Sequence, residues 1–338
     1  MGQSERASYF IVLVLLGLVM LLHLGTLVLA MLFGYFALEL FSFGRHKKIG
    51  FVLYLIAIAG IGVGMVYFSR QAYVALPSIA SSTIPAVVGF AEKHAIELPF
   101  SDYESLKTVA LDEARDGLAG IGRYVRAASF QLVLLVAGLV VAGSLFLNHG
   151  REGRDAGEQS PENNFYGTLV RQTTSHFKSF YASFKKMIGA QILISAINTI
   201  LTAVFLLWNG YPFALVLIVL TFFCGLLPII GNLMSNTLIV GVAFTISPKL
   251  ALVALAFLIL IHKLEYFLNS KIIGHRIKMP MWLTLVGLVV GEKLMGIPGM
   301  ILAPAVLHYV RTEASRAGAP CDRSNPITAP AVAPLKMP

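Results

Sequence analysis

Charge is scarce in this sequence. Asp, Glu, Lys and Arg make up 13% of its 338 residues, about half the share found in soluble domains. Together with 57% hydrophobic residues and a mean hydropathy of +0.78, that shortage excludes an ordinary water-soluble domain and points to an integral membrane protein. Cysteine is almost missing too. Cys224 lies inside an apolar run and Cys321 in a polar tail, so neither a disulfide nor a thiolate metal site is expected, and the redox compartment stays open. Enzyme signatures are lacking as well. "HKLEY", beginning at His262, has the wrong spacing for a HExxH zinc pair, and there is neither a GxSxG elbow nor a GxxxxGK[ST] phosphate loop. A primary pump and an intramembrane protease are therefore disfavoured, and no enzymatic activity, metal or cofactor is expected.

What the sequence has in abundance is apolar runs of helix length. A backbone in hydrocarbon must satisfy its own hydrogen bonds, and ten-residue alternating stretches are not seen, so an all-α polytopic membrane protein is expected rather than a barrel. The net charge of +9 does not indicate nucleic acid, because the Lys and Arg residues sit in short clusters beside apolar segments, where they set topology. The bilayer is the expected partner.

The first run, Tyr9 to about Phe43, is too long for a signal-peptide core and has no small-residue cleavage site. It splits at His23, Leu24 and Gly25 into two helices, and with a third span, Ile49 to Phe68, it makes up residues 1–69. Hydropathy then falls across 70–126, where the helical spacing of Leu106, Val109, Ala110 and Ala114 predicts a small extramembrane helical domain. Residues 127–147 hold a fourth span. A polar, Gly-rich linker and the amphipathic stretch His176 to Met187 fill 148–187. Residues 188–311 form a core: a span from Ile188 to Trp208, a run 213–246 interrupted by "LPIIGNLMSN", a span from Leu250 to Leu268, and a run 281–310 broken by "GEKLMGIPG". The Pro- and Ala-rich tail, 312–338, is expected to be disordered. About eight hydrophobic segments result.

Lys and Arg orient them. With a cytoplasmic N-terminus, 17 of the 26 fall on inside loops, while the outside holds six within 70–126 plus Lys249. Parity then requires the run 213–246 to enter and leave on the outer side, bent at Pro228 and Gly231. The run 281–310 enters and returns on the inner side, bent around Gly296, Pro298 and Gly299. Two broken hairpins of opposite sidedness are the pattern of an inverted-repeat transporter with its site near the midplane.

Polar residues inside these runs are the site candidates. His262, Glu265, Tyr266 and Asn269 share one helical stripe, and a charge there faces a bundle interior, or else sits at the interface with Lys263 as an anchor. Gln191, Ser195, Asn198 and Thr202 recur at steps of four, three and four on another face; they line a path or bond neighbouring helices. The bends carry Asn232, Ser235 and Asn236 in one case and Glu292 and Lys293 in the other, forming a site or capping helices. Glu39 reads as interfacial.

Three of these segments, "LPIIGN", "KLEYFLNSKIIGHRI" and "GEKLMGIPGMILAP", resemble signature regions of the AI-2E (autoinducer-2 exporter) family of bacterial transporters, over about Phe177 to Arg311. Gly189 and Gln191 match its Gly-x-Gln, Pro228 and Gly231 its Pro-x-x-Gly bend, and Glu265, Leu268, Lys271 and Gly274 its Glu-to-Gly motif. Gly291, Gly296, Gly299 and Pro304 match the final Gly-rich hairpin. Asn232 and Ser270 stand where many members have Pro, and Glu292 and Lys293 where small residues are frequent. The resemblance implies a bacterial inner-membrane transporter that assembles as a homo-oligomer, a pentamer among the options. Members differ in cargo, so three readings follow. The first is an exporter of a small polar organic solute, autoinducer-2-like and proton-coupled, with Glu265 beside His262 as the proton carrier. The second is a Na+(Li+)/H+ antiporter using Glu265 and Glu292. The third is a non-transporting membrane scaffold or receptor acting through 70–126.

Overall fold

Backbone donors and acceptors in these apolar segments can be satisfied only locally, and the chain folds accordingly. The structure is a computed structural model describing residues 3–42, 47–94, 121–148, 165–227, 230–273 and 280–317. The described residues form ten helices and no strand, as an all-α polytopic membrane protein requires.

Helix α1 (Gln3–Leu21) turns through His23, at a φ of 52°, into α2 (Gly25–Phe41). Next, α3 (Lys47–Lys93) is one helix of 47 residues, about 70 Å long at 1.5 Å per residue. It does not stop at Phe68: the chain runs on through Pro77 and Pro85. Ala72, Ala75 and Ile79, spaced by three and four, bury a small-residue face in a core shared with later helices. The remainder of the segment up to 120, with the linker 149–164 and the tail from 318, lies outside the described residues. After α4 (Ile121–Asn148), the amphipathic stretch and the following span merge into α5 (Phe165–Trp208), about 66 Å long. The run 213–246 breaks into α6 (Ala214–Gly225) and α7 (Ile230–Ile246), followed by α8 (Pro248–Ile273). Two further helices, α9 (Met281–Met295) and α10 (Ile297–Ala317), meet at Gly296, whose φ of 65° suits a residue without a Cβ.

Two groups of helices are arranged along α3 and α5. One gathers α1, α2, α4 and α10 around their first halves, with α9 laid along α10; the other gathers α6, α7 and α8 around their second halves. Between α2 and α4 the packing is made by Ala30-xxx-Gly34 against Gly138-xxx-Ala142. A Cβ on Gly138 would lie 2.5 Å from the Leu27 carbonyl oxygen, and one on Gly34 would lie 2.9 Å from the Ala142 methyl. Without lipid-driven burial, such small residues let membrane helices approach to van der Waals contact. The α9–α10 pair uses the same device, with Gly291 and Gly299 packed backbone to backbone. Its tip abuts the α1–α2 turn, where a Cβ on Gly25 would lie 3.1 Å from the Met295 Cβ and 3.2 Å from the Pro298 Cβ.

Gly138→Leu is therefore expected to destabilise the protein by about 1–3 kcal/mol through overpacking. Gly60→Leu, placed where nothing lies within 4 Å, is expected to cause no loss of stability, because Leu is the better helix former. Thermal unfolding of the two purified variants in detergent makes the comparison, and equal melting temperatures would refute the role given to Gly138.

Candidate functional site

Polar side chains from four helices converge between α5 and the α6–α7 hairpin. Helix α5 contributes Asn198 and Thr202, α6 Thr221, α7 Asn232, Ser235 and Asn236, and α8 Ile261, His262 and Glu265. Helical spacing accounts for each group: 198 and 202 are one turn apart, as are 232 and 236, and 262 and 265. Asn198, Thr202, Thr221 and Ser235 are buried.

Glu265 is the focus. Its side chain is 12% exposed, and its Oε2 accepts a hydrogen bond from Asn232 Nδ2 at 2.6 Å and a longer one from Asn198 Nδ2 at 3.5 Å. His262 Nδ1 lies 3.9 Å from the same oxygen, while the rest of its ring is turned outward, 68% exposed. Lys263 is exposed and does not line the cavity. The carboxylate is thus held chiefly by neutral amides. Asn198 Oδ1 is buried and has no hydrogen-bond partner. A protonated carboxyl needs an acceptor, and a carboxylate needs donors; the Asn198 amide carries both. The cavity itself is about 10 Å³, at the lower limit of what one water occupies.

The polar stripe of α5 divides in two. Asn198 and Thr202 line the cavity, but Gln191 and Ser195 do not. Gln191 Nε2 donates to the Gly225 carbonyl at 2.6 Å, and Ser195 Oγ donates to the Phe222 carbonyl at 2.7 Å. They bond the last carbonyls of α6, which have no partner within their own helix. Ser195 also fills the space beside Gly225, and Gly231 packs on the Cys224 carbonyl at the start of α7. Pro228 lies outside the described residues, as do the side chains of Tyr266 and Asn269.

Glu292 and Lys293 do not join this cavity. They lie near the end of α9, paired with each other at 3.4 Å and well exposed, beside the bend formed by Gly296, Pro298 and Gly299. Glu39 is bonded by Lys185 at 2.6 Å and by Tyr181 at 2.8 Å. Thr221 is the polar cavity residue that sequence reasoning missed, and the apolar Ile261 is the other. Thr221 stands alone in the apolar helix α6 and bonds the Leu217 carbonyl of its own helix at 2.7 Å, so no polar periodicity announces it.

Residues 7–313 match the family described as AI-2E family transporter. Over 133 residues the chain is 29% identical to a Bacillus subtilis (strain 168) protein named "Putative transport protein YdbI". That match covers 39% of this chain and 38% of the relative. With a family match running from the second turn of α1 to the last turns of α10, the chain belongs to the AI-2E family of membrane transporters.

Proposed function

We propose that this protein is a secondary transporter that exports a small polar organic solute in exchange for protons, with Glu265 as the coupling group. The observation that carries this reading is the convergence of Asn198 and Asn232 on Glu265, beside the tip of a broken hairpin. An ionisable residue inside a membrane core is expensive and is retained where it meets a substrate or a proton. Amide partners make either charge state tolerable. The ionised carboxylate accepts the two amide N–H groups, and the protonated acid donates to Asn198 Oδ1 after a turn of that amide.

A 10 Å³ cavity does not admit an organic molecule, so export requires the α6–α7 hairpin to move. The bonds from Gln191 and Ser195 then act as its latch. The same small volume, with oxygens from Glu265 and Asn198, favours a second reading, Na+(Li+)/H+ antiport, in which a bare monovalent cation replaces the proton.

On this reading the protein sits in the bacterial cytoplasmic membrane with both termini inside, and it assembles as a homo-oligomer. The bias of Lys and Arg supports the orientation. The two hairpins enter from opposite sides. Segment 70–126 stands outside as a gating or supporting element, an idea favoured by the packing of Ala72, Ala75 and Ile79 on the core that includes α6 and α7.

Three measurements test these proposals. In proteoliposomes at matched protein levels, Glu265→Gln is expected to abolish flux driven by a pH gradient, while Lys263→Gln retains most of it. Normal flux with unaltered pH dependence in Glu265→Gln would remove Glu265 from coupling; parallel assays with polar metabolites and with sodium or lithium separate the two readings. Second, a cysteine at Lys249 in a cysteine-free background should react with an impermeant reagent added outside, and labelling from the cytoplasmic side alone would overturn the topology. Third, in a Cys321→Ser background, Gln191→Ala and Ser195→Ala should each speed modification of the buried Cys224. Losing one hydrogen bond worth about 1 kcal/mol raises the open population roughly fivefold; unchanged rates would mean that the hairpin is not latched there.

A further inference from the structure

Three apolar–basic pairs recur at intervals of seven along the first half of α5: Val170–Arg171, Phe177–Lys178 and Phe184–Lys185. Seven residues are almost two turns, so the pairs lie on one slowly drifting stripe about 10 Å apart along the axis. The third pair is satisfied within the protein. Phe184 is fully buried, edge-on to Phe33 of α2 at 5.4 Å, and Lys185 bonds Glu39 of α2 at 2.6 Å. Helix α2 thus offers that pair an apolar surface beside an anion.

The first two pairs present the same chemistry and receive nothing. Val170 and Phe177 are 46% and 49% exposed. Arg171 and Lys178 are exposed and have no ion-pair partner among the described residues. The nearest acid on α10, Glu313, is engaged by Ser179 at 2.8 Å and lies 4.0 Å from His176.

Depth is fixed independently. His176 of α5 stacks against Tyr9 of α1 at 4.4 Å and bonds Tyr309 of α10 at 3.2 Å. Tyr9 is where α1 turns from polar to apolar, and just past Tyr309 α10 turns polar, at Arg311, Thr312 and Glu313. Three helices cross the membrane boundary at one level, marked by two tyrosines of the kind that favours this interface. Arg171 and Lys178 lie five residues to one side of His176 and two to the other, within reach of the headgroups once their stems extend along the apolar surface.

We propose that Arg171, Phe177 and Lys178 form a docking strip for anionic phospholipid, the headgroup phosphates on the two cations and an acyl chain against Phe177. The lipid supplies to these side chains what α2 supplies to Phe184–Lys185. The inference needs neither the identity of the solute nor the direction of transport, because it rests on where α5 crosses the boundary.

The test is thermal unfolding of the purified full-length protein in a non-ionic detergent. Phosphatidylglycerol, phosphatidylcholine with the same acyl chains, or glycerol 3-phosphate is added in separate arms. Wild type should melt higher with phosphatidylglycerol than with phosphatidylcholine, with the difference shrinking as salt rises. Arg171→Gln/Lys178→Gln should lose at least half of that difference, and Phe177→Ser should reduce it as well. Lys249→Gln, exposed at the far end of the molecule, should keep it. An equal shift in the double variant would overturn the proposal. So would the full shift with glycerol 3-phosphate, which would show a phosphate site rather than a lipid one. A phosphatidylglycerol shift preserved in a double variant whose oligomeric mass has fallen would assign the strip to a second copy of the chain instead.

Discussion

A helix that ends in a buried, apolar place leaves carbonyls that water cannot reach. The organisation of the second helix group follows from how this chain meets that constraint at the end of α6. Ser195 and Gln191 bond the Phe222 and Gly225 carbonyls, which fixes the depth of the hairpin tip against α5. Helical spacing does the rest. Continuing up the same face of α5, Asn198 and Thr202 necessarily arrive where α7 presents Asn232 and α8 presents Glu265. One stripe therefore serves two purposes, its first half securing a backbone and its second half meeting a carboxylate.

The other helix group adds close backbone approach to its side-chain bonds. Glycines let α2 touch α4, and α9 touch α10, along their backbones, while Thr26 bonds Gln131 between α2 and α4 and Tyr54 reaches the Leu139 carbonyl at 3.4 Å. Such contacts permit little relative displacement, because packed glycine interfaces have no side chains that can rearrange. Close glycine packing in one group and side-chain bonds to the hairpin backbone in the other, both built on the long helices α3 and α5, hold the two parts of the fold by different means.

Much of the fold was legible in the sequence because hydropathy reports contact with lipid. It found the break at His23, the interruption near Gly231 and the bend at Gly296. It failed at Phe68, where α3 leaves its most apolar stretch but keeps its helix by burying alanines on neighbouring helices. Hydropathy cannot see that kind of burial, since an alanine methyl adds little to an average over a long window. The site was legible only in part. Glu265 and Glu292 look alike in sequence, each a carboxylate near the end of an apolar run. What separates them is the arrival of Asn198 and Asn232, 67 and 33 residues away from Glu265, whereas Glu292 meets only its neighbour Lys293. Local pattern carries no record of such meetings. The surroundings of α5 were hidden for the same reason: its three apolar–basic pairs read identically, and only the position of α2 distinguishes the one that is satisfied.

The choice of partner for Glu265 bears on the mechanism proposed for it. A lysine salt-bridged to the carboxylate would hold it ionised, and removing the proton's place would remove the coupling. Lys263 is only two residues away, yet two residues along a helix turn a side chain to the opposite face, and there it is exposed. His262 touches the site with one ring nitrogen at 3.9 Å while most of the ring faces outward. What remains in contact are two amides, groups that do not change charge and that can offer either a donor or an acceptor. The acid itself finds a partner in either form, since Asn198 offers its Nδ2 to the carboxylate or, once turned, its Oδ1 to the protonated acid, and that adaptability is what a proton-exchanging site needs from its surroundings.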